Sequence, residues 1–284
     1  MLAPALILVA GFVLFPAANA LWLSLTETNL LNTSRQKFIG FHNFQVAFTS
    51  DTFWISLLNL LMWVVGCVAG QLVLGMIGAI LLNQKLRGRA VIRGAVLVPW
   101  ATASILVSLM WLWMLNPNFG IINHFLQMVG LLSGPKDWLG DPATALPTLI
   151  LIDVWQGVPF FAVMLLAALQ SVPKELLEAA KIDGAGPLRF FWDTLLPLSR
   201  TNMAALFVIL FILGWNQYLW PLLITTRDDM QTIQIGIRKM ITTTDALTEW
   251  PIVMATAVLA MLPPVLVVVA MQKLFVRGLI ETEK

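Results

Sequence analysis

Six long apolar stretches, spread over the whole chain, constrain its fold more than any other feature of the sequence. Each is long enough to cross the hydrocarbon core of a bilayer as a helix, which takes about 20 mostly apolar residues. The sequence therefore predicts an all-α, polytopic bundle of six transmembrane helices. They cover about residues 3–25, 54–82, 90–115, 147–170, 202–224 and 252–275.

The composition of the chain is also that of a membrane protein. Hydrophobic residues make up 59% of it and charged residues 11%, against roughly 45–50% and about 25% in a soluble domain. The formal net charge of +2 is too small to argue for nucleic acid as a partner. We therefore expect one integral membrane domain over residues 1–284.

The sequence offers few residues that could bind a metal ion or form a disulfide. Cys67 is the only cysteine, and His42 and His124 are the only histidines. A lone cysteine supports neither a disulfide framework nor a cysteine metal site, and neither histidine has a second ligand type at metal spacing. The sequence predicts no catalytic residue and no metal site.

The basic residues divide unevenly between the two sides of the predicted membrane. Of the 17 Lys and Arg residues, eleven lie on one side and six on the other. The side with more Lys and Arg is expected to face the cytoplasm. With six spans, both termini are then expected on that side. The eleven are Lys85, Arg87, Arg89, Arg93, Lys174, Lys181, Arg189, Arg200, Lys273, Arg277 and Lys284, and the six are Arg35, Lys37, Lys136, Arg227, Arg238 and Lys239.

An alternative interpretation concerns the first span. Ala18-Asn19-Ala20 resembles a signal-peptidase site, which would remove that span. A signal peptide usually begins with a basic region, and no Lys or Arg precedes Arg35 in this chain. We therefore expect the first span to be retained.

The loop between the fourth and fifth spans, residues 171–200, is cytoplasmic in this topology and predicts two short helices. Pro173 suits the first turn of one helix, and Gly184 can adopt the left-handed conformation that ends it. A second helix can begin at Pro187, and Pro197 would break it. On chemistry alone, an amphipathic loop helix of this kind could also rest on the membrane surface.

One motif in this loop resembles the cytoplasmic loop of binding-protein-dependent ABC-importer permeases. It consists of Glu178-Ala-Ala, three further residues, Gly184 and, at a fixed distance, Leu196-Pro197. Thr194 is a mild departure, because the family usually has an isoleucine-like residue there. The resemblance implies the type I ABC-importer permease fold, with an ATPase-docking loop at 171–200. The implied docking residues are Glu178, Ala179, Ala180, Asp183, Gly184, Leu196 and Pro197.

The resemblance also implies partners. In the family the loop helix sits in a cleft on an ATPase subunit, so Glu178 would pair with a basic group there, and Gly184 would make the bend. An ATPase dimer offers two clefts and this chain has one such loop, which implies a second permease subunit, most simply in a heterodimer. Two ATPase subunits carrying ATP and Mg, and an extracytoplasmic solute-binding protein, complete the expected complex in the bacterial inner membrane. No cofactor is expected on this chain itself.

Over essentially its whole length the chain resembles the carbohydrate-uptake branch of these permeases. Residues 1–200 are similar to the first-type subunit, through segments such as Asp153-Val-Trp-Gln-Gly-Val-Pro159. Residues 201–284 look like the second-type subunit of the sn-glycerol-3-phosphate permease, through Gly214-Trp-Asn-Gln-Tyr-Leu-Trp-Pro-Leu-Leu223. The sequence leaves open whether the chain is natural or recombinant. It also leaves open whether the solute is sn-glycerol 3-phosphate or a mono-, di- or oligosaccharide.

Polar side chains within the apolar spans mark a candidate solute pathway. Such residues are costly in lipid and usually face the bundle or a cavity, and amides beside aromatic rings suit a sugar or polyol. The alternative is that each residue ties helices together by hydrogen bonds, which applies equally to Asn59 and Gln71 in the second span. The candidate pathway residues are Asp153, Gln156, Trp215, Asn216, Gln217 and Tyr218.

These features favour a permease subunit of an ATP-driven importer that works by alternating access. The chain has no Gly-x-x-x-x-Gly-Lys-Ser/Thr phosphate loop, so ATP hydrolysis would occur on a separate subunit. An ion-coupled secondary transporter is the alternative; such proteins often carry intramembrane charged relays, whereas Asp153 is nearly the only acidic residue in a predicted span. No cluster of nucleophile, base and oxyanion donors suggests an enzyme.

Overall fold

The computed structural model describes most of the chain as helix, which confirms the predicted all-α class. The residues described are 3–28, 36–84, 88–170, 175, 189, 192–193, 196–224, 230–241 and 248–281. Within these ranges, five helical segments are long and apolar enough to cross a membrane. They are Ala3–Ser24, Asp51–Leu82, Pro142–Gln170, Met203–Leu222 and Trp250–Gln272.

Twelve helical segments and one strand pair follow each other along the described ranges. The helices are α1 (Ala3–Ser24), α2 (His42–Thr49), α3 (Asp51–Leu82), α4 (Arg89–Val96), α5 (Val98–Ala101), α6 (Ser104–Met114), α7 (Ile121–Met128), α8 (Pro142–Gln170), α9 (Leu196–Trp215), α10 (Leu219–Ile224), α11 (Ile233–Met240) and α12 (Trp250–Glu281). The turn Ala10–Leu14 inside α1 is π-helical. Strands β1 (Thr26–Glu27) and β2 (Lys37–Phe38) pair antiparallel, with Thr26 opposite Phe38.

The prediction of a third span over residues 90–115 has to be corrected, because this region is not one continuous helix. It is divided into α4, α5 and α6. Pro99 lies in the first turn of α5, where its missing amide hydrogen costs nothing. Thr102 and Ala103 then adopt extended backbone conformations, with ψ of 136° and 130°. The longest apolar piece is α6, and its 11 residues alone are fewer than a crossing needs.

By its internal contacts the chain divides into two compact units. The first consists of Met1–Leu61 and Arg227–Leu266, and the second of Met62–Thr226 and Val267–Lys284. The single permease domain expected over residues 1–284 stays a prediction.

In the first unit, a buried asparagine holds the end of α1 to the segment that follows it. The Asn43 amide nitrogen on α2 donates to the carbonyl oxygens of Ser24 (2.9 Å) and Thr26 (3.0 Å). Further along, Asn59 on α3 donates to the carbonyl oxygen of Gln231, just before α11, at 3.2 Å. Among the described residues, none of the apolar window of α1 is buried.

In the second unit, α3 and α8 pack closely along a row of glycines that we call the glycine seam: Gly66, Gly70, Gly75 and Gly78. A Cβ atom at Gly70 would lie 2.7 Å from the nearest methyl carbon of Val154, and one at Gly75 would lie 2.5 Å from Cβ of Phe161. Small residues let membrane helices approach this closely where large side chains cannot. The seam therefore fixes the position of α8 against α3.

Candidate functional site

Polar side chains from three segments of the second unit line one cavity, which we call the amide pocket. Gln71 comes from α3, Asp153 and Gln156 from α8, and Gln217 from the segment after α9. The cavity volume is about 360 Å³, within the range of about 300–1,000 Å³ typical of small-molecule sites. Polar groups thus gather in one open cavity between apolar helices.

Gln71 and Asp153 form the central hydrogen bonds of this pocket. The Gln71 amide nitrogen donates to Oδ2 of Asp153 at 2.9 Å and to the carbonyl oxygen of the same residue at 3.1 Å. Gly157 makes this possible, because a Cβ atom there would overlap the Gln71 amide. The Cys67 thiol and the Gln217 amide also lie within hydrogen-bonding reach of the Asp153 carboxyl group. The Asp153 carboxyl group therefore has donors nearby on α3 and in the segment that follows α9.

Gln156 has a different local role. Its amide oxygen accepts a hydrogen bond from the indole nitrogen of Trp220 at 3.1 Å, and its amide nitrogen donates to the carbonyl oxygen of Thr102 at 3.3 Å. That carbonyl lies at the break between α5 and α6, where the interrupted helix leaves a partly buried backbone oxygen that needs a partner. Gln156 thus ties α8 to α10 and to this break.

Aromatic rings form part of the pocket lining. The Trp100 and Phe160 rings are stacked, with centroids 4.9 Å apart and an interplanar angle of 16°, and both residues line the cavity. Ser104, the first residue of α6, also lines it. The pocket therefore combines a flat apolar surface with amide, hydroxyl and carboxyl groups.

The predicted pathway residues fall into two groups. Asp153, Gln156 and Gln217 line the amide pocket, whereas Trp215, Asn216 and Tyr218 do not. Trp215 is buried and stacks on Phe211 at 5.4 Å. Asn216 is exposed, and its amide nitrogen donates back to the Ile212 carbonyl oxygen at 2.9 Å. A solute role for any of the six stays a prediction.

Sequence reasoning left three contributors out of the candidate pathway: Gln71, Gly157 and the Trp100–Phe160 stack. Gln71 is among the polar span residues at which a solute path is sought, beside the alternative that it ties helices together, but it is not among the six candidate residues. A signal existed in the spacing, because Cys67 and Gln71 are four residues apart on α3, as are Asp153 and Gly157 on α8, and residues four apart share one helix face. Which faces meet depends on how α3 and α8 pack, and that contact is visible only in the structure.

The docking prediction falls largely outside the described residues. Glu178, Ala179, Ala180, Asp183 and Gly184 all lie there. Leu196 and Pro197 are described, and they form the first turn of α9 rather than a break before it. Proline is well tolerated at that position of a helix.

Five apolar helices of crossing length define the class of this protein as a polytopic membrane protein. Residues 71–281 match the family described as the binding-protein-dependent transport system inner membrane component. The chain belongs to this family, which confirms the family predicted from the Glu178–Pro197 motif. It is accordingly a multi-pass inner-membrane component of a transport system and not an enzyme.

Curated relatives match part of the chain closely. The sn-glycerol-3-phosphate transport system permease protein UgpE of Rhizobium meliloti is 66% identical over 114 residues, 40% of either chain. The UgpE proteins of Agrobacterium fabrum and Yersinia pestis are 65% and 62% identical over matches of the same length, which cover 40% of this chain and 40% and 41% of theirs. The match thus spans about two fifths of these relatives. At 114 residues it is longer than the region 201–284, so it is not confined to that region.

Two solved structures share the fold. A bacterial ABC transporter involved in the import of the acidic polysaccharide alginate superposes with a TM-score of 0.78 at 21% sequence identity, over 98% of this chain and 94% of that chain. The alginate transporter in complex with its pentasaccharide-bound periplasmic protein superposes with a TM-score of 0.78 at 20% identity, over 95% and 91%. At these identities the likeness concerns the fold alone, and it confirms the predicted ABC-importer permease fold.

Proposed function

We propose that this chain is a permease subunit of an ATP-driven importer that moves a sugar or sn-glycerol 3-phosphate across the inner membrane by alternating access. The observation that carries the proposal is the family match over residues 71–281. The names of the UgpE relatives and of the alginate transporters support an importer of a hydroxyl-rich solute. Family membership disfavours the ion-coupled alternative.

In this proposal the amide pocket forms part of the solute path. Amides and a carboxyl group offer the donors and acceptors that hydroxyl groups need, and the Trp100–Phe160 stack offers an apolar surface beside them. Such a combination of apolar walls and a few placed polar groups is typical of small-molecule sites.

The proposed complex contains a second permease subunit, two ATPase subunits that bind ATP and Mg, and an extracytoplasmic solute-binding protein. We propose that residues 89–114 also cross the membrane, as the divided segment α4 to α6, which makes six crossings with the five long helices. Both termini and the docking loop 171–200 then face the cytoplasm, on the side that has more Lys and Arg. Glu178 would pair with a basic group in the ATPase cleft, and Gly184 would form the bend beside it.

A reversed charge at Glu178 and an added charge at Gly184 test the coupling role of the docking motif. Glu178→Arg and Gly184→Asp should each abolish ATP-dependent uptake and weaken co-purification of the ATPase, while the chain still inserts in the membrane. Uptake of labelled sn-glycerol 3-phosphate and of a labelled disaccharide would be measured in vesicles that carry the full complex.

Glu175→Arg is the matched control, because it makes the same charge change on an exposed residue of the same loop outside the motif. It should transport at a rate near that of the wild type. Normal uptake and normal ATPase recovery in both motif variants would exclude the docking role.

A further inference from the structure

We infer that helix α7 lies in the membrane interface and packs its apolar face against phospholipid acyl chains. The leaflet is the one at the N-terminal end of α8, which is the outer leaflet in the orientation proposed above. The inference goes beyond the proposed transport function and does not depend on which solute is carried. It is carried by the exposed apolar face of α7, by its attachment to α8 and by the two cavities on its flanks.

Three large apolar side chains of α7 point away from the rest of the second unit. Ile121, Phe125 and Met128 share one helix face, because they are spaced by four and three residues. They are 62%, 56% and 71% exposed. Asn123, on the opposite side of the helix, is buried. Within the part of the chain that the structure describes, nothing covers this apolar face, and such a face is typical of a surface that meets a membrane or another protein.

Asn123 determines where α7 lies, because it ties the helix to the residues that lead into α8. Its amide nitrogen donates to the carbonyl oxygen of Lys136 at 2.8 Å, and its amide oxygen accepts from the indole nitrogen of Trp138 at 2.9 Å. The hydroxyl group of Thr144, in the first turn of α8, donates to the carbonyl oxygen of Trp138 at 3.0 Å. Since α8 is long and apolar enough to cross the membrane, α7 is held beside the end where that helix enters the bilayer.

The side chains at this attachment are those that favour the headgroup level. Trp138 presents an apolar ring with one polar nitrogen, and tryptophan is enriched where membrane and water meet. The Lys136 ammonium group lies 4.9 Å from the centre of the Trp138 ring. A lysine can keep its charge in water while its apolar stem covers such a ring.

The two flanks of α7 differ in polarity, and this difference orients the helix relative to the bilayer. On one flank, His124 and Gln127 line a cavity of about 340 Å³ whose other walls are mostly polar. On the other flank, Ile122 lines an apolar groove of about 430 Å³. This groove extends along α8 to Leu151 and Ile152, well inside the crossing helix. The apolar flank therefore faces the membrane interior, and the polar flank faces water.

The sequence around α7 carries no charge, which favours lipid over a protein as the occupant of the exposed face. No Asp, Glu, Lys or Arg occurs between Arg93 and Lys136, whereas a protein interface has a polar rim and a soluble domain has about 25% charged residues. Many interfacial helices use Lys and Arg to bind anionic lipids, and α7 has neither. Its insertion should therefore depend on apolar contact and not on the charge of the lipid.

Nitroxide scanning of α7 tests the inference on the full chain, reconstituted with its co-purifying subunits in vesicles. Single cysteines would be introduced in a Cys67→Ser background and labelled. Collisions of each label with oxygen, which concentrates in the bilayer, and with a water-soluble nickel chelate would be measured. The vesicles would consist of phosphatidylcholine alone, or of phosphatidylcholine mixed with phosphatidylglycerol. The variants are Phe125→Cys and Met128→Cys on the apolar face, His124→Cys and Gln127→Cys on the polar flank, and Phe12→Cys on the exposed surface of α1 as the lipid reference.

The ratio of oxygen to nickel collisions should be about tenfold higher on the apolar face than on the polar flank, since an interfacial helix buries its apolar face by about 5–10 Å. On the apolar face it should approach the ratio of the α1 reference, and it should be the same in both kinds of vesicle. Equal ratios on the two sides of α7 would overturn the inference, as would a dependence on phosphatidylglycerol. Labels at Phe125 and Met128 that neither reagent reaches would also overturn it, because a protein partner would then cover this face.

A second measurement needs no substitution and so does not depend on the folding of the variants. The wild-type complex would be irradiated in vesicles that contain a phosphatidylcholine with a diazirine near the ester end of one acyl chain, and the cross-linked peptides would be mapped by mass spectrometry. Cross-links are expected within Ile121–Met128. Their absence, with α1 cross-linked in the same sample, would overturn the inference. Neither measurement involves transport, so this inference and the importer proposal can fail independently.

Discussion

Helices α1 and α8 are nearly equal in mean hydropathy, and yet one is exposed and the other is packed. In α1 none of the most apolar window is buried within the chain, whereas half of that window is buried in α8. The difference lies in the neighbours: α8 meets the glycine seam of α3, while a Cβ atom at Gly11 in α1 would contact nothing within 4 Å. Apolar length therefore predicts where a chain crosses the membrane, and small residues decide which helices pack together.

The largest expected effect comes from filling the glycine seam. Gly75→Leu should destabilise the folded chain by about 3 kcal/mol, at the upper end for overpacking, because its Cβ alone would lie 2.5 Å from Cβ of Phe161. Gly11→Leu makes the same change in α1 and should shift stability by less than about 0.5 kcal/mol. Unfolding of the purified proteins by denaturant in detergent micelles would measure both.

Equal destabilisation by the two substitutions would contradict the contrast between α1 and α8. It would mean that the packing of α8 does not depend on the seam. Gly75→Ala, which adds only the Cβ atom, would then show whether any close approach exists at this position.

A smaller effect is expected from the polar contact beside the seam. Gln71→Leu removes the donor to Oδ2 and to the carbonyl oxygen of Asp153 and should cost about 2 kcal/mol, since a buried acceptor that loses its partner costs about 1–3 kcal/mol. Gly157→Ala should have a similar effect, because the added Cβ atom would displace the Gln71 amide. Gln45→Leu, at an exposed position of α2, is the control.

The same denaturant experiment measures these variants. If Gln71→Leu proves as stable as the control, the hydrogen bonds to Asp153 add nothing to the packing of α3 against α8. The seam alone would then account for the buried state of α8.

The smallest effect is kinetic and uses the only cysteine of the chain. Cys67 lies on α3, is 3% exposed and lines the amide pocket, so a membrane-permeant maleimide should label it slowly in the folded protein. Gly75→Ala should raise the labelling rate severalfold by loosening α3 against α8, and Gly11→Ala should not. Rates would be followed by mass spectrometry, with the denatured chain as the reference for complete labelling.

Rapid labelling of the wild type would show that α3 and α8 separate often on their own. A rate that both glycine variants leave unchanged would show that Cys67 is protected by something other than the seam.

The sequence predicts the long helices well, because apolar length alone decides them. It does not predict the division of residues 90–115, because the carbonyl oxygen of Thr102 at this break has its partner, the Gln156 amide, on a helix that is distant in the sequence.

The candidate site is also predicted only in part. Asp153, Gln156 and Gln217 were recognisable as polar residues in apolar spans, whereas the contact between Gln71 and Asp153 depends on how α3 and α8 meet at Gly157.

The length of α3 has a consequence for how the pair sits in a bilayer. Its 32 residues extend about 48 Å at about 1.5 Å per residue, well beyond a hydrocarbon core of about 30 Å. Such a helix must tilt or project into the headgroup region. Because the glycine seam packs α3 against the 29-residue α8, a tilt of α3 also changes the position of α8 in the bilayer, together with the polar residues between the two helices.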